Sequence, residues 1–283
     1  MKTLKPSRSI TAIIAGGGVM PKLIVQKLIE SSQEFIVLAV KGDADPTFFS
    51  GIEHCEWIDV GGLKNIINIL KNHKVTDLVF SGKVSRPPLL SMSLDSSALM
   101  ALAKLGFKKL SGGSDNIHSI VAKIAEDNGF RIIPPEAIAT DLRAPYGIVG
   151  NKSPSKDDLK DIEKGKEVLR KLGDMDVGQA VIVENEQVLG IEAAEGTDQL
   201  INRCGDLKRE KDGRGVLIKM KKTTQENRID LPAIGEDTIK ALHASGFGGV
   251  AIEAKNGLIL DLANVKETAD RLGIFVIGVN DEE

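Results

Sequence analysis

The sequence predicts an α/β protein made of two α/β domains. From Ile10 to about Thr140, short apolar runs alternate with helix-spaced segments, the pattern of a parallel sheet with crossover helices. Between Arg143 and Asp158 the texture changes, with Pro145, Gly147, Gly150 and Pro154 among polar residues and little periodic apolar content. Beyond that stretch strands and helices return in mixed order. The boundary is placed there, giving an N-terminal α/β domain of residues 1–142 and a C-terminal mixed α/β domain of 143–283.

In the first domain the runs Ile10–Ala15, Phe35–Val40, Trp57–Val60, Leu78–Ser81 and Phe130–Pro134 are too short and too evenly apolar for helices and read as buried strands. Lys22–Ile29, Leu63–Leu70 and Ile117–Ala125 carry helix spacing. The second domain opens with a charged amphipathic helix over about 155–172, ended by Gly173. Ala180–Glu184 and Gln187–Ile191, separated by Asn185-Glu186, read as a hairpin. Strands follow at Val216–Ile218, Val250–Ile252, Leu258–Leu260 and Ile274–Val279, with helices at Glu236–Ala244 and Asn264–Leu272.

At 283 residues and 42% hydrophobic content the chain can fill two cores. A net charge of −3 advertises no nucleic-acid partner. Cys55 and Cys204 lack metal-ligand spacing, which points to a reducing, cytoplasmic setting and away from disulfides or zinc. Lys2, Lys5 and Arg8 precede an apolar run that Gly16-Gly17-Gly18 cuts short, too brief for a signal sequence. No apolar run reaches about 18 residues, so membrane contact is expected to be peripheral at most.

Four segments carry candidate chemistry. Ala15-Gly16-Gly17-Gly18-Val19-Met20-Pro21 joins a strand to a helix, so backbone amides and the helix N-terminus can cradle a phosphate; a tight turn alone is the other reading. Pro21 stands where a dinucleotide fingerprint has its third glycine. Gly82-Lys83-Val84-Ser85-Arg86 follows a strand at its carboxyl end, where Lys83 and Arg86 can clamp a phosphate or simply be solvated. Glu192, Glu195 and Asp198 lie within seven residues, a set able to feed a magnesium site or to be a solvated face with an N-cap. Lys219 to Asp230 combines cations with a carboxylate between Ile229 and Leu231, suited to pyrophosphate hydrolysis or to a turn before Pro232. His54, His73, His118 and His243 are scattered without ligand spacing.

Taken in order, these stretches resemble the magnesium-dependent UDP-2,3-diacylglucosamine pyrophosphatases unrelated to the metallophosphoesterases. The resemblance rests on Ile14-Ala15-Gly16-Gly17-Gly18 with Pro21, Gly82 to Pro87, Asp176-Val177-Gly178-Gln179, Glu192 to Asp198 and Gln225 to Gly235, and runs from Ile13 to about Val279. One departure is Thr223, where the family's Lys-Pro-x-Gln stretch carries proline. The resemblance implies a Rossmann-like, mainly parallel first domain, a mixed second one, and an active site in a cleft between them. It implies hydrolysis of UDP-2,3-diacylglucosamine to 2,3-diacylglucosamine 1-phosphate and UMP, with attack on the sugar-side phosphorus, a Mg2+ cofactor and a homodimer. Asp230 falls on the family's essential aspartate. The substrate-binding set is Gly17, Gly18, Lys83, Ser85, Arg86, Lys152, Gln179, Thr197, Lys219, Lys222 and Gln225, and the metal set Asp230, Glu192, Glu195 and Asp198. The apolar stretch Pro88 to Leu105 is either core or an acyl groove.

Two rival readings stand beside this one. An NAD(P)-dependent oxidoreductase would use Gly16 to Gly18, with Asp43 or Asp45 on the ribose. A non-catalytic nucleotide-sugar or lipid-binding module would need only the anion loops.

Overall fold

The computed structural model describes residues 9–84, 114–173, 175, 177–208, 214–222 and 231–280, with backbone alone for 114–118. They divide into two compact units, the first running to Ala139 and the second starting at Thr140.

The first unit holds a five-stranded parallel sheet built from β1 (Thr11–Ala15), β2 (Phe35–Val40), β3 (Cys55–Ile58), β4 (Asp77–Ser81) and β5 (Arg131–Ile132), in the order β3-β2-β1-β4-β5. Its helices are α1 (Met20–Glu30), α2 (Pro46–Phe49), α3 (Leu63–Asn72), α4 (Ser114–Asp127) and α5 (Pro135–Ile138). The central strands β1 and β2 are almost wholly apolar because helices cover both faces. On one face Ala12, Leu38 and Leu78 pack with Ile69, Leu70, Ala122 and Ala125. On the other, α1 buries Ile24, Val25 and Leu28 as it packs on β1 and β4. Each such aliphatic side chain contributes about 1.5–3 kcal/mol on burial.

Departures from the sequence expectation are local. β3 begins at Cys55 and ends at Ile58, two residues earlier than Trp57–Val60. The four-residue helices α2 and α5 are too short to show a period. β5 is held to β4 by Arg131, whose Nε donates to the buried Asp77 Oδ1 at 2.7 Å and whose second nitrogen donates to Oδ2 at 3.1 Å.

The second unit holds β6 (Gly147–Val149), β7 (Ala180–Glu184), β8 (Gln187–Ile191), β9 (Val216–Lys219), β10 (Ala233–Ile234), β11 (Gly249–Glu253), β12 (Leu258–Ile259) and β13 (Phe275–Val279). A mixed sheet runs in the order β6-β13-β11-β9-β7-β8, with β9, β11 and β13 parallel and β6 and β7 antiparallel to their neighbours; β10 and β12 form a separate parallel pair. Helix α6 (Lys156–Gly173) covers one face, packing Ile162 and Leu169 on Val181, Val183 and Ile218. Helices α7 (Thr197–Leu207), α8 (Glu236–Ala244) and α9 (Leu262–Leu272) cover the other, packing Leu200, Ile239 and Val265 with Ile182, Leu217 and Val250.

β6 lies inside the stretch that reads as aperiodic in the sequence. Three residues at a sheet edge, paired only with β13, have no room for an alternating pattern. The expected hairpin forms, and both of its turn residues, Asn185 and Glu186, take positive φ angles of 52° and 60°, the geometry that matches strand twist. The Asp161 carboxylate of α6 accepts hydrogen bonds from both of their backbone N–H groups.

Candidate functional site

In the first unit the strand order reverses between β1 and β4, and the carboxyl ends at such a reversal are the position where open α/β sheets bind ligands. The glycine turn follows β1 and the Lys83 loop follows β4. The two loops are joined through their backbones: Gly16 N donates to Ser81 O at 2.8 Å, Gly17 N to Lys83 O at 2.7 Å, and Lys83 N to Gly17 O at 3.0 Å. Glycine is obligatory for this approach, since a Cβ on Gly16 would stand 2.2 Å from Lys83 O and one on Gly82 2.5 Å from Gly17 O.

These bonds commit the amides of Gly16 and Gly17 to protein carbonyls. Any anion bound at this turn would therefore have to meet Gly18 and the first turn of α1, whose N-cap Val19 supplies no side-chain hydrogen bond. Pro21 sits in that first turn, where a missing N–H costs nothing, which explains a proline at the position of the third fingerprint glycine.

The same loops bear on the oxidoreductase reading. Asp45 caps α2 by accepting from Thr47 N at 2.9 Å, and Lys22 Nζ lies 2.6 Å from its other oxygen. The Lys22 hydrogen bond, with those of Thr47, holds the Asp45 carboxyl well below the usual carboxylate range. A carboxylate so engaged is poorly placed to accept from a ribose hydroxyl.

In the second unit a buried polar cluster lies at the carboxyl edge of β9 and β11. Gln179 precedes β7, Glu192 follows β8, Lys219 ends β9 and Glu253 ends β11; the antiparallel pairing of β7 with β9 brings all four to one edge. Glu192, Lys219, Lys222 and Glu253 are each buried, which is tolerable for charges only when they are paired and hydrogen-bonded. Lys219 Nζ donates to Thr197 Oγ1 at 2.8 Å and to Ala233 O at 3.1 Å. Thr197 donates to Glu192 Oε1 at 2.8 Å, and Gln179 N donates to Glu192 Oε2 at 3.1 Å. Gly178 permits the last contact: its φ is 54°, and a Cβ there would stand 2.1 Å from Glu192 O.

Sequence reasoning placed Gln179, Thr197, Lys219, Lys222 and Glu192 in the site; the fold joins Gln179, Glu192, Thr197 and Lys219 by hydrogen bonds and buries Lys222 just past the end of β9. It missed Glu253, whose Oε2 accepts from Lys221 N at 2.8 Å and so fixes the chain between Lys219 and Lys222. The available signal was parallel: the apolar strand before Lys219 and the one before Glu253 both end abruptly in a charge.

Lys152 is not gathered with them. Its ammonium donates to Gly273 O at 2.6 Å and Gly248 O at 3.4 Å, carbonyls that precede β13 and β11 at the opposite edge of the sheet. The three clustered carboxylates also part company. Glu192 points inward, Glu195 pairs with Arg203 at 2.9 Å, and Asp198 is exposed in the first turn of α7. Among the described residues no group of three or more His, Cys, Asp or Glu side chains assembles that could hold a metal ion. Ser85, Arg86, Gln225, Asp230 and the apolar stretch Pro88 to Leu105 lie outside the described residues.

Comparisons with known proteins cover nearly all of the chain. The LpxI N-terminal domain model matches residues 10–142 and the LpxI C-terminal domain model residues 145–277. The UDP-2,3-diacylglucosamine pyrophosphatase LpxI of Caulobacter vibrioides is 32% identical over 278 residues, covering 96% of this chain and 98% of that protein. Among solved structures, the N5-carboxyaminoimidazole synthase of Aspergillus clavatus matches at a TM-score of 0.25 and 11% identity, over 72% of this chain and 45% of that one. At that score it carries no argument.

Proposed function

The chain belongs to the LpxI family, and on that premise we propose that it hydrolyses the pyrophosphate of UDP-2,3-diacylglucosamine to 2,3-diacylglucosamine 1-phosphate and UMP in lipid A biosynthesis. The match to the Caulobacter vibrioides enzyme over 96% of this chain carries this reading. The geometry supports it by supplying what the reaction needs. Hydrolysis of a phosphoric anhydride builds negative charge on oxygens around phosphorus, and fixed cations lower that barrier. Lys219 and Lys222, buried at the carboxyl edge of the mixed sheet, are such cations. Held in place before the reaction, Lys219 needs no reorganisation during it.

In this proposal Asp230 orients the attacking water and takes up its proton. Water attacks the sugar-side phosphorus, the bond from that phosphorus to the bridging oxygen breaks, and UMP leaves with that oxygen. Lys219, Lys222, Gln179 and Gln225 hold the phosphates. Gly18, Lys83, Ser85 and Arg86 form the anion-binding set of the first unit.

Magnesium is part of the proposal. Mg2+ is commonly bound through one or two carboxylates plus substrate phosphates, so the divergence of Glu192, Glu195 and Asp198 leaves Asp230 as the favoured protein ligand. Among the described residues no helix is long and apolar enough to cross a membrane. We place the enzyme in the cytoplasm as a homodimer touching lipid peripherally, which carbonate-washed fractions and light scattering test directly.

The deciding assay is UMP release by the purified protein from UDP-2,3-diacylglucosamine with magnesium, against an EDTA control. Magnesium-dependent release is the expected result. Tight substrate binding without release would favour the binding-module reading and overturn this one.

A further inference from the structure

We propose that Glu192 and Thr197 form a positioning relay for Lys219, in which Glu192 sets the direction of the ammonium through the Thr197 hydroxyl. The proposal rests on the reading of Lys219 as a cation at the substrate phosphates. Lys219 ends β9 with only 4% of its surface exposed. Its acceptors include Thr197 Oγ1 at 2.8 Å and Ala233 O at 3.1 Å.

The order of donors is forced by chemistry. An ammonium only donates and an ionised carboxylate only accepts. A hydroxyl set between them must spend its one proton on the carboxylate and offer a lone pair to the ammonium. That is the arrangement seen, with Thr197 donating to Glu192 Oε1 at 2.8 Å. Glu192 is fixed in turn by Gln179 N at 3.1 Å on its other oxygen.

A hydroxyl spacer has a consequence that a direct ion pair lacks. In direct contact a glutamate would draw the ammonium toward itself and cancel most of its field. With Thr197 between them, the carboxylate orders the hydroxyl and the hydroxyl orders the ammonium. Glu192 thereby acts through other residues and is not a metal ligand.

The test uses Thr197→Val, Thr197→Ser, Glu192→Gln and Lys219→Gln in the full-length protein, with two independent readouts. The first needs no activity: acylation of Lys219 by acetic anhydride, followed by peptide mass spectrometry. Thr197→Val and Glu192→Gln are expected to raise its rate about tenfold or more, the scale of one hydrogen bond to a charged group, whereas Thr197→Ser keeps it slow. An unchanged Lys219 rate in Thr197→Val would overturn the relay, whatever the enzyme's substrate proves to be. If Glu192→Gln does not fold, the Val and Ser variants of Thr197 carry this readout by themselves.

The second readout is a double-mutant cycle on kcat/KM. Thr197→Val is expected to cost about tenfold or more when Lys219 is present and nothing further in Lys219→Gln, because Thr197 acts only through that ammonium. Thr197→Ser recovers most of the loss. The magnesium concentration giving half-maximal rate stays as in wild type in Glu192→Gln. Equal losses from Thr197→Val in both backgrounds, or a raised magnesium requirement in Glu192→Gln, would overturn the proposal. Absence of UMP release by the wild-type protein would instead sink the functional reading, and the acylation rates would still decide the relay.

Discussion

Gly17 and Lys83 exchange two backbone hydrogen bonds, at 2.7 and 3.0 Å, and so tie the turn after β1 to the loop after β4 at the point where the strand order reverses. Two loops that are 66 residues apart in sequence are thus placed as one surface. Glycines at 16 and 82 make this possible, because any side chain there would strike backbone of the opposite loop.

Gly16→Ala is therefore expected to destabilise the first unit by about 1–3 kcal/mol, the range for overpacking a tight contact. Lys83 O cannot move aside like the end of a flexible side chain. The variant is also expected to raise KM more than it lowers kcat, since it displaces the loop proposed to bind a substrate phosphate. Denaturant unfolding and steady-state kinetics check both. A wild-type unfolding midpoint would show that the two loops separate without cost.

Asp77 gives a pH-dependent prediction for the same unit. Burial pushes its carboxyl up, but hydrogen bonds from Arg131 and Ser9 outweigh burial, so its pKa lies below the ordinary 3.8. A depressed folded-state pKa contributes stability that is fully present above the unfolded value and is lost as pH falls through the folded one. Asp77→Asn is expected to lower stability at pH 7 and to flatten its decline below about pH 4. Thermal melts of both proteins across that range decide it. Parallel curves would mean that Asp77 does not supply this acid-labile stability.

The sequence and the fold agree where the signal is local. The hairpin around Asn185-Glu186 and the helix Glu236–Ala244 fall on the expected residues, because a two-residue turn and a helical period are visible in the chain itself. β6 was not legible, since its pairing partner lies about 130 residues away in β13. The site was legible to the same degree. Loops at strand ends could be named as anion binders, but spacing does not say which edge of a sheet a loop reaches, and Lys152 reaches the opposite one. Nor does proximity in sequence make carboxylates converge: Glu192 ends a hairpin and turns inward, while Asp198 rides the exposed side of a helix start. Glu253 left only a faint mark, a charge at the end of an apolar strand, because only the fold shows that its partner is the Lys221 amide.

Glu253 supports a third prediction. Its carboxylate accepts from Lys221 N and from the Asn256 amide. Glu253→Ala leaves both donors without that acceptor, at a cost of about 1–3 kcal/mol. Glu253→Gln retains one acceptor oxygen and is expected to lose less. Calorimetric melts rank the two. If alanine were as stable as wild type, Glu253 would not be what fixes the segment between Lys219 and Lys222.

Asp230→Asn is the most consequential substitution. The change preserves size and removes charge, so the variant is expected to fold as wild type does. A carboxylate can bind magnesium, or orient and partly deprotonate the attacking water; a neutral amide is poor at both. Hydrolysis is expected to fall by about 2 to 4 orders of magnitude, the scale of a lost general-base contribution. Binding of UDP-2,3-diacylglucosamine is expected to survive or tighten, since in the proposed site the change would remove a negative charge beside the pyrophosphate and relieve like-charge repulsion. A purely structural Asp230 behaves differently, because asparagine forms turns nearly as well as aspartate, and activity would then stay within a few-fold of wild type. Single-turnover UMP release, substrate binding and a thermal melt on one preparation separate the cases. Lost turnover with an unchanged melt and intact binding assigns the chemistry to Asp230, and near-normal turnover would remove it from the mechanism.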